Sequence, residues 1–140
     1  MKTINLPSDV TVFGFEVKTF PLGVGEAFHK LINMIPEGAN RSYYGISFMN
    51  GNKMAYYAMA EELTAGEAEK YSGERMVIES GMYLAETLQN WRSQTDCIKD
   101  IFGKIINDKR SDKAKPAVEW YKNEDEMLCM VKAVDQNVPA

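Results

Sequence analysis

The sequence predicts an α+β fold: two pseudo-symmetric βαββ modules whose strands join into one curved antiparallel sheet, with both helices on one face and a groove on the other. Three observations lead there. The order strand, helix, hairpin occurs twice along the 140 residues. A shift of 70 places Phe28, Leu31, Ile32 and Ile35 of the first helical stretch on Ile98, Ile101, Phe102 and Ile105 of the second. A shift of 73 places Phe48, Asn50 and Met54 on Tyr121, Asn123 and Met127, and the difference between the shifts is an ordinary change in loop length.

The elements follow in order. Residues 1–9 carry no strong pattern and are expected to be loosely attached. Val10 to Phe20 alternates and is rich in β-branched and aromatic residues, so it reads as a strand that Pro21 and Gly23 break. From Gly25, Ala27, Phe28, Leu31, Ile32, Met34 and Ile35 recur at helical spacing until Pro36. Ser42 to Met49 is the next strand. Asn50-Gly51 signals a tight hairpin, and Met54 to Glu62 returns from it.

Leu63 to Gly73 reads as a polar connector. Arg75 to Leu88 is strand-like and is split by a turn or bulge at Ser80-Gly81. A second helix covers Gln94 to Asn107, with Ser93 placed to cap it. After a charged linker at 108–115, Ala117 to Ala133 forms a closing hairpin with a polar turn at Asn123 to Glu126. The chain is thus expected to be a single domain, module one covering about 10–62 and module two about 74–134.

Composition excludes several classes of function. The 20 acidic and 16 basic side chains give a formal charge of −4, which argues against the basic footprint of a nucleic-acid binder. No apolar run reaches the ~18 residues of a membrane helix, and the N-terminus lacks a signal-peptide hydrophobic segment; a cytoplasmic protein is expected. Cys97 and Cys129 form no CxxC pair and are expected to be free, buried thiols. His29 stands alone, so neither a metal-ligand cluster nor a Ser/His/Asp arrangement is expected, and no cofactor is called for. The residues before the first strand are too few for a helix-turn-helix.

One residue breaks the apolar pattern. Glu119 lies between Val118 and Trp120, where a central strand normally carries an apolar side chain. Alternation puts Val118 and Trp120 on one face and Ala117, Glu119 and Tyr121 on the other. Under the shift of 73, Glu119 corresponds to Ile46, so only one half carries the charge and the groove near the pseudo-twofold axis becomes asymmetric. Such a groove is a common place for a ligand. A buried, unpaired carboxylate costs several kcal/mol unless paired or protonated, so its pKa should be raised until a bound cation lowers it. An exposed strand glutamate, or one paired with Lys132, is the plainer alternative.

The motifs carry a resemblance. PAVEWYKNEDE (116–126), with YYGISF (43–48) after the first helix and SGMYLAETL (80–88) before the second, is similar to the GyrI-like small-molecule-binding family, also described as the AraC-type effector-binding domain. The resemblance spans about Val10 to Val134. It implies duplicated βαββ modules, of the kind found in bacterial transcription regulators or standing alone. It also implies a groove lined with aromatics that takes hydrophobic, often cationic, drug-like molecules, with Glu119 as the glutamate at its floor. The family often has a glycine just before the second helix; here Asn90-Trp91 stands instead, which alters the groove mouth and offers an indole wall.

Tyr44, Tyr56, Tyr57, Tyr83, Trp91 and Tyr121 are the candidate groove aromatics, able to clamp a flat ligand and attract a cation by ~0.5–2 kcal/mol each. In the pair Tyr56-Tyr57 alternation lets only one face the groove. Trp120 and Phe48 are assigned to the core. Three functions follow: a stand-alone binder of hydrophobic cations, a hydrolase of reactive small molecules with Glu119 as general base, or a protein-binding inhibitor. The last is the weakest, since −4 over the whole chain is little charge for nucleic-acid mimicry. Oligomeric state is left open.

Overall fold

Alternation along the strands sorts the apolar side chains between two faces, and both faces bury them. The computed structural model describes residues 1–134. In chain order the elements are β1 (Lys2–Leu6), β2 (Val10–Glu16), α1 (Val24–Met34), β3 (Tyr43–Asn50), β4 (Lys53–Glu61), α2 (Glu67–Lys70), β5 (Glu74–Ile78), β6 (Gly81–Gln89), α3 (Asp96–Asn107), β7 (Ala117–Tyr121) and β8 (Glu126–Lys132). The strands form one antiparallel sheet in the order β1-β6-β8-β7-β3-β4-β2-β5.

The two halves mirror each other within that order. β3-β4-β2 of the first half and β7-β8-β6 of the second meet at the β3–β7 pair, with Gly45 opposite Glu119. The outer strands are exchanged: β1 pairs with β6 of the second half, and β5 pairs with β2 of the first. Residues 1–9, expected to be loose, therefore contain an edge strand that ties one half to the other. Its short sequence KTINL gives little period-two signal, because only Ile4 and Leu6 turn partly inward.

The two long helices, α1 and α3, pack on the same face. Leu31 of α1 and Ile35 just after it bury against Phe13, Tyr43 and Ala60, while Ile105 of α3 buries among Leu84, Met127, Cys129 and Val131. Each fully buried aliphatic side chain of this kind contributes ~1.5–3 kcal/mol. The other face gathers Val12, Tyr44, Ile46, Met59, Ile78, Tyr83, Val118 and Met130 into one cluster. That cluster joins Ile4 and Leu6 on one edge strand to Met76 and Ile78 on the other. A flat sheet would hold these edges apart, so the sheet is strongly curled and this face is concave.

Several local expectations change. The first strand stops at Glu16, because Val17 to Gly23 turns, and Gly23 takes the left-handed conformation (φ 84) from which α1 starts. The connector after β4 holds the short helix α2, whose Glu67 is buried and accepts bonds from Arg41 Nη1 (3.0 Å), Leu63 N (2.8 Å) and Thr64 N (3.2 Å). Ser93 does not cap α3; its hydroxyl donates to the Asn90 carbonyl within a 3₁₀ turn, and Thr95 is the capping position.

The repeat register also shifts. A displacement of 73 would put Glu119 on Ile46, yet Ile46 belongs to the concave cluster and Glu119 points the opposite way. An odd displacement reverses every side chain of a strand, so the correspondence between β3 and β7 must be even.

Candidate functional site

β3 and β7 are the two central strands, and α1 lies against β4 while α3 lies against β8 and β6. The central strands therefore pass beneath the gap between the helices. Val118 and Trp120 pack into the concave cluster, which sends Glu119 and Tyr121 to the helix side. The ladder positions across from Glu119 are Gly45 and Cys129, and beyond them lie Ala58 and Glu86. Glu119 thus lies on the same face as the helices, and not in the groove opposite them. The reason is the pleat: once its neighbours fill the concave core, the intervening side chain has no other direction.

Small residues make room for it. A Cβ on Gly45 would lie 2.1 Å from Tyr56 Oη and 2.2 Å from Glu119 Oε1, so only glycine permits the carboxylate and the phenol to meet above the strand. Tyr56 Oη donates a short hydrogen bond to Glu119 Oε1, and Tyr121 Oη donates to the same oxygen at 2.9 Å. Among the described residues no lysine or arginine pairs with Glu119; Lys132 reaches Glu79 instead, at 3.7 Å. Glu86 shares the face, but it is engaged by Lys104 (3.2 Å) and the N-terminal ammonium (3.0 Å), with β8 between it and Glu119.

Two phenol rings reach this carboxylate, and three further aromatic rings pack on those two. Phe20 stacks on Tyr56 with centroids 4.7 Å apart. Phe28 of α1 and Trp91, from the turn before α3, each meet Tyr121 edge-on at 5.3 and 4.8 Å. Trp91 is fixed by its indole N–H, which donates to Asn123 O at 3.1 Å, and Arg92 lies 5.2 Å over its ring. Glu119 keeps partial exposure among them.

The electrostatics follow from this setting. Burial raises the Glu119 pKa, and the hydrogen bonds from Tyr56 and Tyr121 offset only part of that. Burial and the neighbouring carboxylate push both phenols up, so each keeps its proton and remains a donor. Burial, with Glu119 and Glu86 nearby, pushes the Cys129 thiol up to about 12. Such a thiol is inert at neutral pH, whereas Cys97, also expected to be buried, is exposed in the first turn of α3.

Of the seven residues singled out from sequence, Glu119, Tyr56, Tyr121 and Trp91 come together. Tyr44, Tyr57 and Tyr83 do not, because they point to the concave face. There Tyr44 stacks on Trp120, Tyr57 stacks on Phe48, and Tyr83 donates to the Glu79 carbonyl at 2.7 Å. The ambiguity in the adjacent pair is resolved by the ladder: Tyr56 lies across from Ser47 on the helix side, and Tyr57 across from Ile46 on the other. Sequence reasoning missed Gly45, Phe20 and Phe28. Gly45 had a signal, since a glycine inside an apolar strand marks a close approach; Phe20 had none, because it lies in a turn.

Among the described residues no group of three His, Cys, Asp or Glu side chains could hold a metal ion, and no helix is long and apolar enough to cross a membrane.

No protein-family model matches the chain, and no curated protein matches it by sequence. Solved structures do. An integron cassette protein, VCH_CASS2, from the mobile metagenome of Vibrio cholerae superposes with a TM-score of 0.68 at 12% identity, over 94% of each chain. SAV2435, solved bound to tetraphenylphosphonium, gives 0.62 at 13% identity, over 97% of this chain and 96% of that one. A putative bacterial transcription regulation protein from Staphylococcus aureus MU50 gives 0.60 at 12%, over 94% and 97%. All three share this fold. At these identities the likeness establishes the architecture and nothing about the residues of the site.

Proposed function

We propose that the chain is a small-molecule-binding protein of the GyrI-like, effector-binding type, and that it takes hydrophobic cations over Glu119 in the gap between α1 and α3. The observation that carries this reading is a carboxylate with no cationic partner among the described residues, held above Gly45 by Tyr56 and Tyr121, on which Phe20, Phe28 and Trp91 pack. An uncompensated charge in such a place is costly to the fold and useful to a ligand of opposite sign. The rings supply apolar area and cation–π attraction at the same spot. SAV2435, which shares the fold, was solved with such a cation.

The rings crowd the partly exposed carboxylate, so a bulky ligand enters by moving Phe20 off Tyr56 or Trp91 off Tyr121. Titration with tetraphenylphosphonium, followed by tryptophan fluorescence, tests the reading. Saturable 1:1 binding is expected, weakened about tenfold or more in Glu119→Gln because a partly desolvated charge pair is lost. The neutral triphenylphosphine oxide should bind weakly. Equal affinity for both compounds, or for wild type and Glu119→Gln, refutes the proposal.

A second reading rests on one detail of the same site. Both phenols engage Oε1, and no donor among the described residues engages Oε2, which leaves that oxygen free to take a proton from water in general-base hydrolysis. Turnover of an activated ester or strained ring, abolished in Glu119→Gln while cation binding by the wild type blocks it, would support catalysis. Binding without turnover across such a panel would remove it.

A further inference from the structure

The concave face carries a groove of about 560 Å³ that the Glu119 site does not use. Its floor is apolar, made by Ile46, Phe48, Val118, Met76, Ile78 and Tyr83 from four different strands. Its volume lies within the range of small-molecule sites, roughly 300–1,000 Å³. The rim is polar and unlike the surroundings of Glu119. Lys115, from the loop before β7, and Lys132, from the end of β8, converge on a single carboxylate, Glu79, at 3.0 and 3.7 Å.

Lys132 is directed there by the backbone. Its stem crosses Gly81 (φ 122), where a Cβ would lie 3.0 Å from Lys132 Cε. Asp9, the other acidic group on the rim, accepts the Ser80 backbone N–H at 2.8 Å and forms no ion pair with either lysine. Glu79 is half exposed and sits on the two-residue link between β5 and β6, free to swing out to water. Two ammonium groups that share one half-exposed carboxylate, above an apolar trough, form a receptor whose internal anion can be exchanged for an external one.

The geometry points to a second binding site on the concave face for an apolar monocarboxylate, its chain lying on Ile46, Met76 and Val118 and its carboxylate replacing Glu79 between Lys115 and Lys132. The ligand class is opposite in charge to that of the helix-side site. The two faces are separated by the thickness of the sheet, so the site stands or falls independently of the reading of Glu119.

Sodium dodecanoate below its micelle concentration is a suitable probe, with dodecanol and dodecyltrimethylammonium as neutral and cationic controls. Calorimetry should give 1:1 binding of dodecanoate, stronger than that of dodecanol, and dodecyltrimethylammonium, which the helix-side site would take, should leave the Met76 methyl signal in place. In protein labelled at the methionine methyls, the Met76 signal, assigned with Met76→Leu, should shift on binding. Glu79→Gln removes the internal competitor and should tighten dodecanoate binding severalfold. Lys132→Met should weaken it by about threefold or more, the effect of losing one partly exposed charge partner. Glu119→Gln, on the opposite face of the sheet, should leave dodecanoate binding as it is. No shift of Met76, equal binding of dodecanol, weaker binding in Glu79→Gln, or loss of binding in Glu119→Gln would each overturn the assignment.

Discussion

Two glutamates are drawn out of water in this protein, and they are treated in opposite ways. Glu67 is 7% exposed and fully answered: Arg41 and two backbone N–H groups converge on its Oε1. Burial alone would raise its pKa, but the Arg41 hydrogen bond, the two backbone bonds and the charge of Arg41 outweigh it and hold the group below the ordinary carboxylate range. Glu119 receives two phenols and no cation among the described residues, and burial wins, raising its pKa. A carboxylate that the fold completes is structural. One that the fold leaves short of a positive charge is an opening for a ligand.

The sharpest way to break this contrast is to remove Glu67. Glu67→Ala strands the buried Arg41 guanidinium and should cost ~3–5 kcal/mol in a denaturant titration, as breaking a buried pair does. Affinity for tetraphenylphosphonium in the protein that remains folded should be unchanged. A small stability loss would show that the pair is not the anchor of α2.

Gly45→Ala tests whether the Glu119 site is built by the strand below it. The added methyl collides with Tyr56 Oη and Glu119 Oε1, so overpacking should cost ~1–3 kcal/mol and cation binding should be lost. A variant that binds as wild type would mean that the two side chains meet elsewhere.

Glu119→Gln should leave stability unchanged or raise it at neutral pH, while it weakens the cation. The pH dependence separates the two glutamates by sign. Glu119 has a folded pKa above its unfolded value, so ionising it destabilises the fold. Stability should fall as pH rises from the ordinary carboxylate range through the raised pKa, and this slope should vanish in Glu119→Gln. Cation affinity should rise over that same window and then level off. Glu67 has a folded pKa below its unfolded value. Its contribution is present above the unfolded pKa and is lost as pH falls through the folded one. Paired thermal melts of wild type, Glu67→Gln and Glu119→Gln between acid and neutral pH would show both slopes.

The smallest effect is expected at the ring that covers the site. Phe20→Ala removes the plate stacked on Tyr56 and should quicken cation association in stopped flow while it weakens affinity by about 0.5–1.5 kcal/mol, the worth of one aromatic contact. Slower association would place the entrance at Trp91.

The sequence by itself determined the class of fold and the residue worth suspecting. Helical spacing in 24–34 and 96–107, alternation in the long strands and the Asn-Gly hairpin are local properties, written in side-chain period, and the structure reproduces them. A charge flanked by Val118 and Trp120 is equally local, and so Glu119 was legible before any coordinate. Tertiary structure decided the rest, because it depends on which strands meet. β1 is stabilised by β6, some 80 residues away in the chain, and nothing in KTINL announces that. The face that Glu119 takes follows from where the concave core lies, and a displacement of one residue in the repeat is enough to send it the wrong way. Tyr56 and Tyr121 reach the same oxygen only because β4, β3 and β7 are adjacent and Gly45 between them has no side chain. Periodicity fixes what a strand can bury; pairing across the sheet fixes what it buries it against.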